Sequence, residues 1–317
     1  MPRSEPARVR GAVTREMSEW GHRSVLLRTV IEWLRPAPDM VFADVTLGAG
    51  GHAEGLLEAS SPTGRVIGMD RDRDALDRAQ QRLERFGERL IPLKGDFRDA
   101  AWRIEELGMP ALDGVLMDLG VSSMQLDQAE RGFSIQADGP LDMRMSRGKG
   151  VTAAQLVQRL DESELERIFR EYGEEPRARA IARKIVEVRQ RTRIRRTREL
   201  AELVKTVSRG GGRIHPATKV FQALRIAVND ELESLKRAIP ALADRLAPGG
   251  RMVVIAFHSL EDRIVKTTFR DLAREGKGCV LTPKPAAPTR DEIRENPRAR
   301  SARLRVFEAQ ATEEPRA

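Results

Sequence analysis

The chain has 317 residues, a formal net charge of +8 and one cysteine, Cys279. That length holds one large domain or two ordinary ones, each with its own core, and a lone cysteine excludes a disulfide framework and fits a reducing compartment. No apolar run can span a bilayer and Met1-Pro2-Arg3-Ser4-Glu5 has no apolar signal core, so the chain reads as cytoplasmic; the positive charge favours a polyanionic partner, but aromatics are too few for a single-strand stacking platform.

Residues 1 to about 20 are polar, arginine-rich and aperiodic, and read as a disordered leader. From Ser24, the spacing of Leu26, Leu27, Val30, Ile31 and Leu34 predicts a helix ended by Pro36. Val41 to Val45 then read as a strand buried on both faces, running into Gly48, Gly50 and Gly51, where the backbone can turn sharply and approach a ligand. A helix follows through Ala53, Leu56 and Leu57, so the stretch has the strand, glycine turn and helix N-terminus of a nucleotide-type site.

Arg65-Val66-Ile67-Gly68-Met69 reads as the second strand, ending at Asp70, about twenty residues past the glycines, where an acid can accept both hydroxyls of a ribose. The competing reading of Asp70 is an N-cap for the helix that carries Leu76, Ala79, Leu83 and Phe86. Third and fourth strands, Leu90–Leu93 and Gly114–Met117, end at Asp96-Phe97 and Asp118-Leu119-Gly120. This alternation predicts an open parallel α/β sheet with right-handed crossovers.

Residues 121 to 150 read as a long polar loop, a length that usually marks function. Helical periods follow without strands: Asp161 and Glu164 have capping-box spacing before Leu165, Ile168 and Phe169, Ile181 to Val188 form another helix, and Thr197 is placed to cap a third. We read 123–213 as an inserted helical domain for substrate recognition, with 21–122 and 214–317 forming the main domain. Gly210-Gly211-Gly212 is a flexible junction, and a long helix from about Phe221 is expected to break near Pro240. Arg251–Phe257 reads as the fifth strand, residues 261–272 as a helix, 276–300 as irregular and 303–308 as a closing strand.

Gly48-x-Gly50-x-x-Ala53 also fits a dinucleotide fingerprint, so the turn alone allows an NAD enzyme. Asp70, the Asp96-Phe97 pair and Asp118, one per strand end, favour S-adenosylmethionine: an acid for the ribose, a polar and aromatic pair for the adenine, and a further polar group near the methionine end. Four scattered histidines, His52 and His258 among them, and one cysteine argue against a metal site.

Thr46-x-Gly48-x-Gly50-Gly51-His52, Leu119-Gly120-Val121-Ser122-Ser123-x-Gln125-Leu126-Asp127, Arg131-Gly132-Phe133-Ser134, Asp138 to Met145, Phe257 to Arg263 and Asn296 to Ser301 together closely resemble the bacterial small-subunit ribosomal RNA cytosine-N4 methyltransferases. The resemblance runs in order over about residues 20 to 309. It implies a Rossmann-like methyltransferase sheet, S-adenosylmethionine as donor and a decoding-centre cytidine of 16S rRNA in the small ribosomal subunit as acceptor. By motif it implies cofactor contacts at Gly50, Gly51, His52, Asp70, Phe97, Asp118 and Gln125. Met124 stands where the family usually has proline, and Ser146 where an acid is common. Homodimerisation is left open.

The cytosine amine is a poor nucleophile because its lone pair is delocalised into the ring. The enzyme must align nitrogen, methyl carbon and sulfur and accept amine hydrogen bonds that localise that lone pair. Asp118 is the first candidate acceptor; Asp142 is the second, and its competing reading is a loop ion pair with Arg144. The target base must be unstacked to reach such a pocket. For phosphate binding, the run Arg189, Arg191, Arg193, Arg195, Arg196 and Arg198 is the leading surface and Arg298, Arg300, Arg303 and Arg305 the other. A dinucleotide oxidoreductase and a non-catalytic RNA-binding assembly factor are the alternatives.

Overall fold

The structure, a computed structural model, describes residues 24–148, 150–208 and 215–311. The leader expected over residues 1 to 20 and the Gly210-Gly211-Gly212 junction lie outside the described residues.

Strands β1 (Val41–Asp44), β2 (Arg65–Asp70), β3 (Leu90–Lys94), β4 (Leu112–Asp118), β5 (Leu246–Ala256), β6 (Gly278–Val280) and β7 (Arg303–Ala309) form one sheet in the order β3-β2-β1-β4-β5-β7-β6. The first five are parallel, and β7 runs antiparallel between β5 and β6. The order reverses between β1 and β4, and in such sheets the ligand crevice lies there, beyond the carboxyl ends of the strands. Register brings those ends together: Asp44 lies beside Gly68 and Leu116, and Asp118 beside Ile255.

Alternation explains why these strands read as continuous apolar runs. Val115 and Met117 of β4 and Met252 and Val254 of β5 enter one core, while Leu116, Val253 and Ile255 enter the core on the opposite face. Helices α1 (Leu27–Leu34), α2 (Gly51–Ala59), α3 (Arg73–Arg82) and α4 (Ala100–Glu106) cover the two faces.

Beyond β4 come α5 (Ser123–Asp127), α6 (Ala153–Arg159), α7 (Glu162–Glu171), α8 (Ala178–Arg189), α9 (Thr197–Val207) and α10 (Thr218–Asn229). Phe133, Leu141, Met143, Leu165, Phe169, Ile181, Ile185, Leu200 and Val204 make a third core that continues through Val220, Phe221 and Leu224 of α10. Then α11 (Glu231–Ala243) returns to the sheet, placing Leu235, Ile239 and Leu242 in its core, followed by α12 (Ser259–Arg274) and α13 (Arg290–Glu295).

Several local expectations need correction. The long helix breaks at Asp230, not near Pro240: Asp230 is left-handed at φ 51, and α11 runs through Pro240. An Asn-Asp pair tolerates that conformation. Pro240 lies one turn from the end of α11, so it removes a single N–H from a helix held down by its buried face. Thr197 is not the cap of α9 but its first residue; its hydroxyl reaches across to Ala137 O at 3.1 Å and accepts from Gly139 N at 3.0 Å. The stretch 276–300 also holds β6 and α13. Asp161 and Glu164 do form the capping box of α7.

Candidate active site

β1 delivers Asp44 and the turn after it. Gly48 and Gly50 have φ of 54° and 80°, which L side chains rarely adopt. A Cβ on Gly50 would stand 2.9 Å from Leu83 Cδ1, and one on Gly51 2.2 Å from Ser24 Oγ. The turn is braced from β2: Gly48 N donates to Asp70 Oδ2 at 2.8 Å, and Asp72 N donates to Asp70 Oδ1 at 2.8 Å. Asp70 is therefore not the helix cap; Asp72 is, accepting from Asp74 N at 3.2 Å. Each Asp70 oxygen keeps a second lone pair, as a ribose diol would need.

Burial pushes Asp70 up to about 6, against the pull of those two N–H donors. Burial likewise pushes Asp44 up to about 7. Asp44 was passed over in the sequence because it closes an apolar strand. Burial, then the charges of Asp44 and Glu261, raise Asp118 well above the usual carboxylate range. Asp118 is fixed by its own backbone N–H, which donates to Thr46 Oγ1 at 2.6 Å. His52 is buried, with Nε2 donating to Val25 O at 2.9 Å and Nδ1 standing 3.6 Å from Asp118 Oδ2. Among the described residues Asp44 Oδ2 and Asp118 Oδ1 are buried with no hydrogen-bond partner. Two orphaned acceptors among raised carboxylates suit a cationic ligand rich in donors, and the sulfonium and ammonium of S-adenosylmethionine fit that description.

A pocket opens beside this group, lined by Thr46, Arg71, Phe97, Leu119, Gly120 and Met145, with Glu231, Leu235 and Glu261 completing the wall. Of the expected cofactor contacts, Phe97 is on this wall. Arg71 and Glu231 were not singled out from sequence, and Met145 only as the end of the Asp138–Met145 motif, because contacts between distant segments place them there. Arg225 holds Glu231 through two bonds of 2.9 and 2.8 Å. Burial works against ionisation of Glu261, but His258 and Arg225 hold it below the usual range.

The loop after β4 is tied in by a buried knot. Asp72 Oδ2 accepts from Arg131 Nη1 at 2.6 Å and Gln125 Nε2 at 2.9 Å, and Arg131 Nη2 donates to Arg144 O and Met145 O at 3.1 and 2.9 Å. Gln125 Oε1 accepts from Ser122 N at 3.1 Å, so its amide serves the start of α5. Asn229 completes the clamp, accepting from Met145 N at 2.9 Å and donating to Met143 O at 2.7 Å. Asp142 is engaged by Arg144 Nε and Nη2 at 2.7 and 2.8 Å; partial burial raises its pKa but those bonds bring it below the usual range.

The arginine runs divide. Arg189 Nη1 donates to Val157 O and Leu160 O, both at 2.6 Å, and Arg196 Nε to Asp138 Oδ2 at 2.7 Å, so these two serve the fold. In the second run Arg298 pairs with Asp127, and Arg303 and Arg305 with Asp262. Among the described residues no cluster of His, Cys, Asp or Glu is arranged to hold a metal ion, and no helix is long and apolar enough to cross a membrane.

Residues 19–310 match the family described as the MraW methylase family. A protein of Syntrophotalea carbinolica named ribosomal RNA small subunit methyltransferase H is 51% identical over 313 residues, covering 93% of this chain and 99% of that protein. One of the same name from Geobacter sulfurreducens is 50% identical over 310 residues, covering 91% and 99%. A solved structure titled as an rRNA methylase from Streptococcus thermophilus aligns with a TM-score of 0.44 at 10% identity, covering 90% of this chain and 98% of that one.

Proposed function

The chain belongs to the MraW methylase family, and from that premise we propose that it methylates N4 of a decoding-centre cytidine in 16S rRNA, with S-adenosylmethionine as donor. Bound in the crevice between β1 and β4, the donor supplies an electrophilic methyl on a sulfonium. The residues of this chain do the rest. Asp70 takes the ribose hydroxyls on its outward lone pairs, Phe97 presents a ring face to the adenine, and the Gly48–Gly51 turn admits the ligand against bare backbone. Gly50, Gly51, His52 and Gln125 shape that cradle; His52 and Gln125 do so through the groups they hold, Asp118 and Asp72.

Asp118 accepts the amine hydrogen bond of the target cytosine. The observation that carries this reading is its buried, partnerless Oδ1 at the end of β4, on a carboxyl that burial and the neighbouring Asp44 and Glu261 make more basic than an ordinary carboxylate. His52 Nδ1 beside Oδ2 gives the arriving proton a second place to rest. Asp142, occupied by Arg144, braces the loop that ends at Met145.

Mass spectrometry of the decoding-centre rRNA fragment tests the proposal. A strain lacking the gene should lose one methyl from the N4 position of one cytidine, and the purified enzyme with S-adenosylmethionine should restore it. An unchanged fragment, or a methyl missing from another base, rejects the proposed acceptor.

A further inference from the structure

The α8–α9 connection and the first turn of α9 carry four arginines whose guanidiniums make no ion pair among the described residues. Arg191, Arg193, Arg195 and Arg198 are all exposed, and among the described residues none of their guanidiniums is within ion-pair distance of a carboxylate; the run's ion pair belongs to Arg196. The nearby acids are engaged elsewhere. Asp138 holds Arg196, Glu199 Oε2 accepts from the backbone N–H groups of Arg195 and Arg196, and Glu202 pairs with Lys205 at 2.6 Å, with Arg198 acting on it only from beyond ion-pair distance.

The segment is also held in place. Ile194 is buried in the helical core, so strand-like alternation turns Arg193 and Arg195 outward on either side of it. Leu141 N donates to Arg195 O at 2.8 Å, Thr197 N donates to Gly139 O at 2.9 Å, and Pro140 and Arg196 form a β-bridge. The segment it pairs with is the one that reaches the pocket: Met145 on the pocket wall is five positions on from Pro140, a span of at most about 18 Å.

We propose that Arg191, Arg193, Arg195 and Arg198 form a pre-organised edge that binds the phosphates of the RNA strand flanking the target base. The proposal rests on the RNA methyltransferase reading above. Because the backbone that carries them is held in place, the four side chains start from fixed positions and give register, while carrying no base preference. The Arg298–Arg305 run cannot do the same, because three of its four side chains are paired within the fold.

The test uses the full-length protein and a transcript of the small-subunit decoding region, with binding measured across a salt series. Each phosphate contact contributes roughly 0.7–0.9 to the slope of log affinity against log salt. R191Q/R193Q/R195Q/R198Q should lower the slope by ~3 and the affinity at least tenfold, with S-adenosylmethionine affinity and melting temperature unchanged. The corresponding four-lysine variant should keep most of the slope, since a phosphate accepts a point charge. R300Q should change the slope by no more than one contact. A wild-type slope in the four-glutamine variant, with wild-type methyl transfer intact, overturns the surface and leaves the activity standing. So does a variant that binds naked RNA normally but no longer engages assembled subunits, which would place a protein partner on this edge. Absence of RNA binding by the wild-type enzyme overturns both readings.

Discussion

Asp118 and Asp70 end the two strands that flank β1, yet their surroundings give them different tasks. Asp118→Asn keeps the shape and one carbonyl oxygen but removes the charge. We expect turnover to fall by 10²-fold or more even at saturating cofactor, because the lost interaction strengthens as the amine proton is released. Single-turnover rates with pre-bound RNA measure this; a wild-type rate would confine Asp118 to the cofactor. Asp70→Ala should instead act on cofactor binding. It removes charge-assisted bonds worth about 1.5–3 kcal/mol each and also frees the N–H groups of Gly48 and Asp72. Calorimetry should show at least tenfold weaker cofactor binding with RNA affinity unchanged. The type and position of both acids were legible in the sequence. The Asp142–Arg144 pair was legible too, two residues apart in one loop, but nothing local in the sequence announces that Asp44 joins Asp118 from the adjacent strand.

At the scale of elements, the loop after β4 is shaped by groups remote in sequence. Asp72 and Arg131 are each 3% exposed as side chains, so either one alone would be a buried, uncompensated charge. Arg131→Leu should therefore destabilise the protein by about 3–5 kcal/mol, read as a lower denaturant midpoint. Asp72→Asn with Arg131→Leu should recover part of that loss, because the orphaned charge is gone. The strands were readable because burial on both faces writes an unbroken apolar run, and α7 because its capping box is local. The break after Asn229 was misplaced because proline is the louder signal, whereas the cause is Asn229 turning inward to hold Met143 and Met145. Strand β6, at three residues, is too short for any period to show and exists through its pairing with β7.

At the scale of the whole molecule, several buried acids carry displaced pKa values. Asp44 and Asp70 titrate near 3.8 when unfolded, but at about 7 and about 6 in the fold. The stability their neutral forms contribute is complete below 3.8 and is lost as pH rises through 6 to 7. Asp142, Asp262 and Glu261 shift the other way and matter only in more acidic solution. The cofactor-free enzyme should therefore melt at a higher temperature at pH ~5.5 than at pH ~8. A cationic donor requires the ionised acids, so its affinity should rise across the same window. Calorimetric titrations at three pH values, paired with melting curves, check both signs; a pH-independent affinity would remove Asp44 and Asp70 from the cofactor's electrostatics.

Helices α10 and α11 are consecutive in the chain, yet Phe221 and Leu224 belong to the helical core and Leu235 and Ile239 to the sheet core. A single left-handed residue, Asp230, separates them, and its neighbour Asn229 grips the segment that lines the pocket. The helical module is thus soldered to the sheet at the pocket wall and does not swing from it as a tethered arm. Slow amide exchange should propagate accordingly: a ligand in the pocket should protect α10 and the backbone around Met143–Met145 as strongly as it protects β1, and Asn229→Ala should uncouple the two while leaving the secondary structure of each in place.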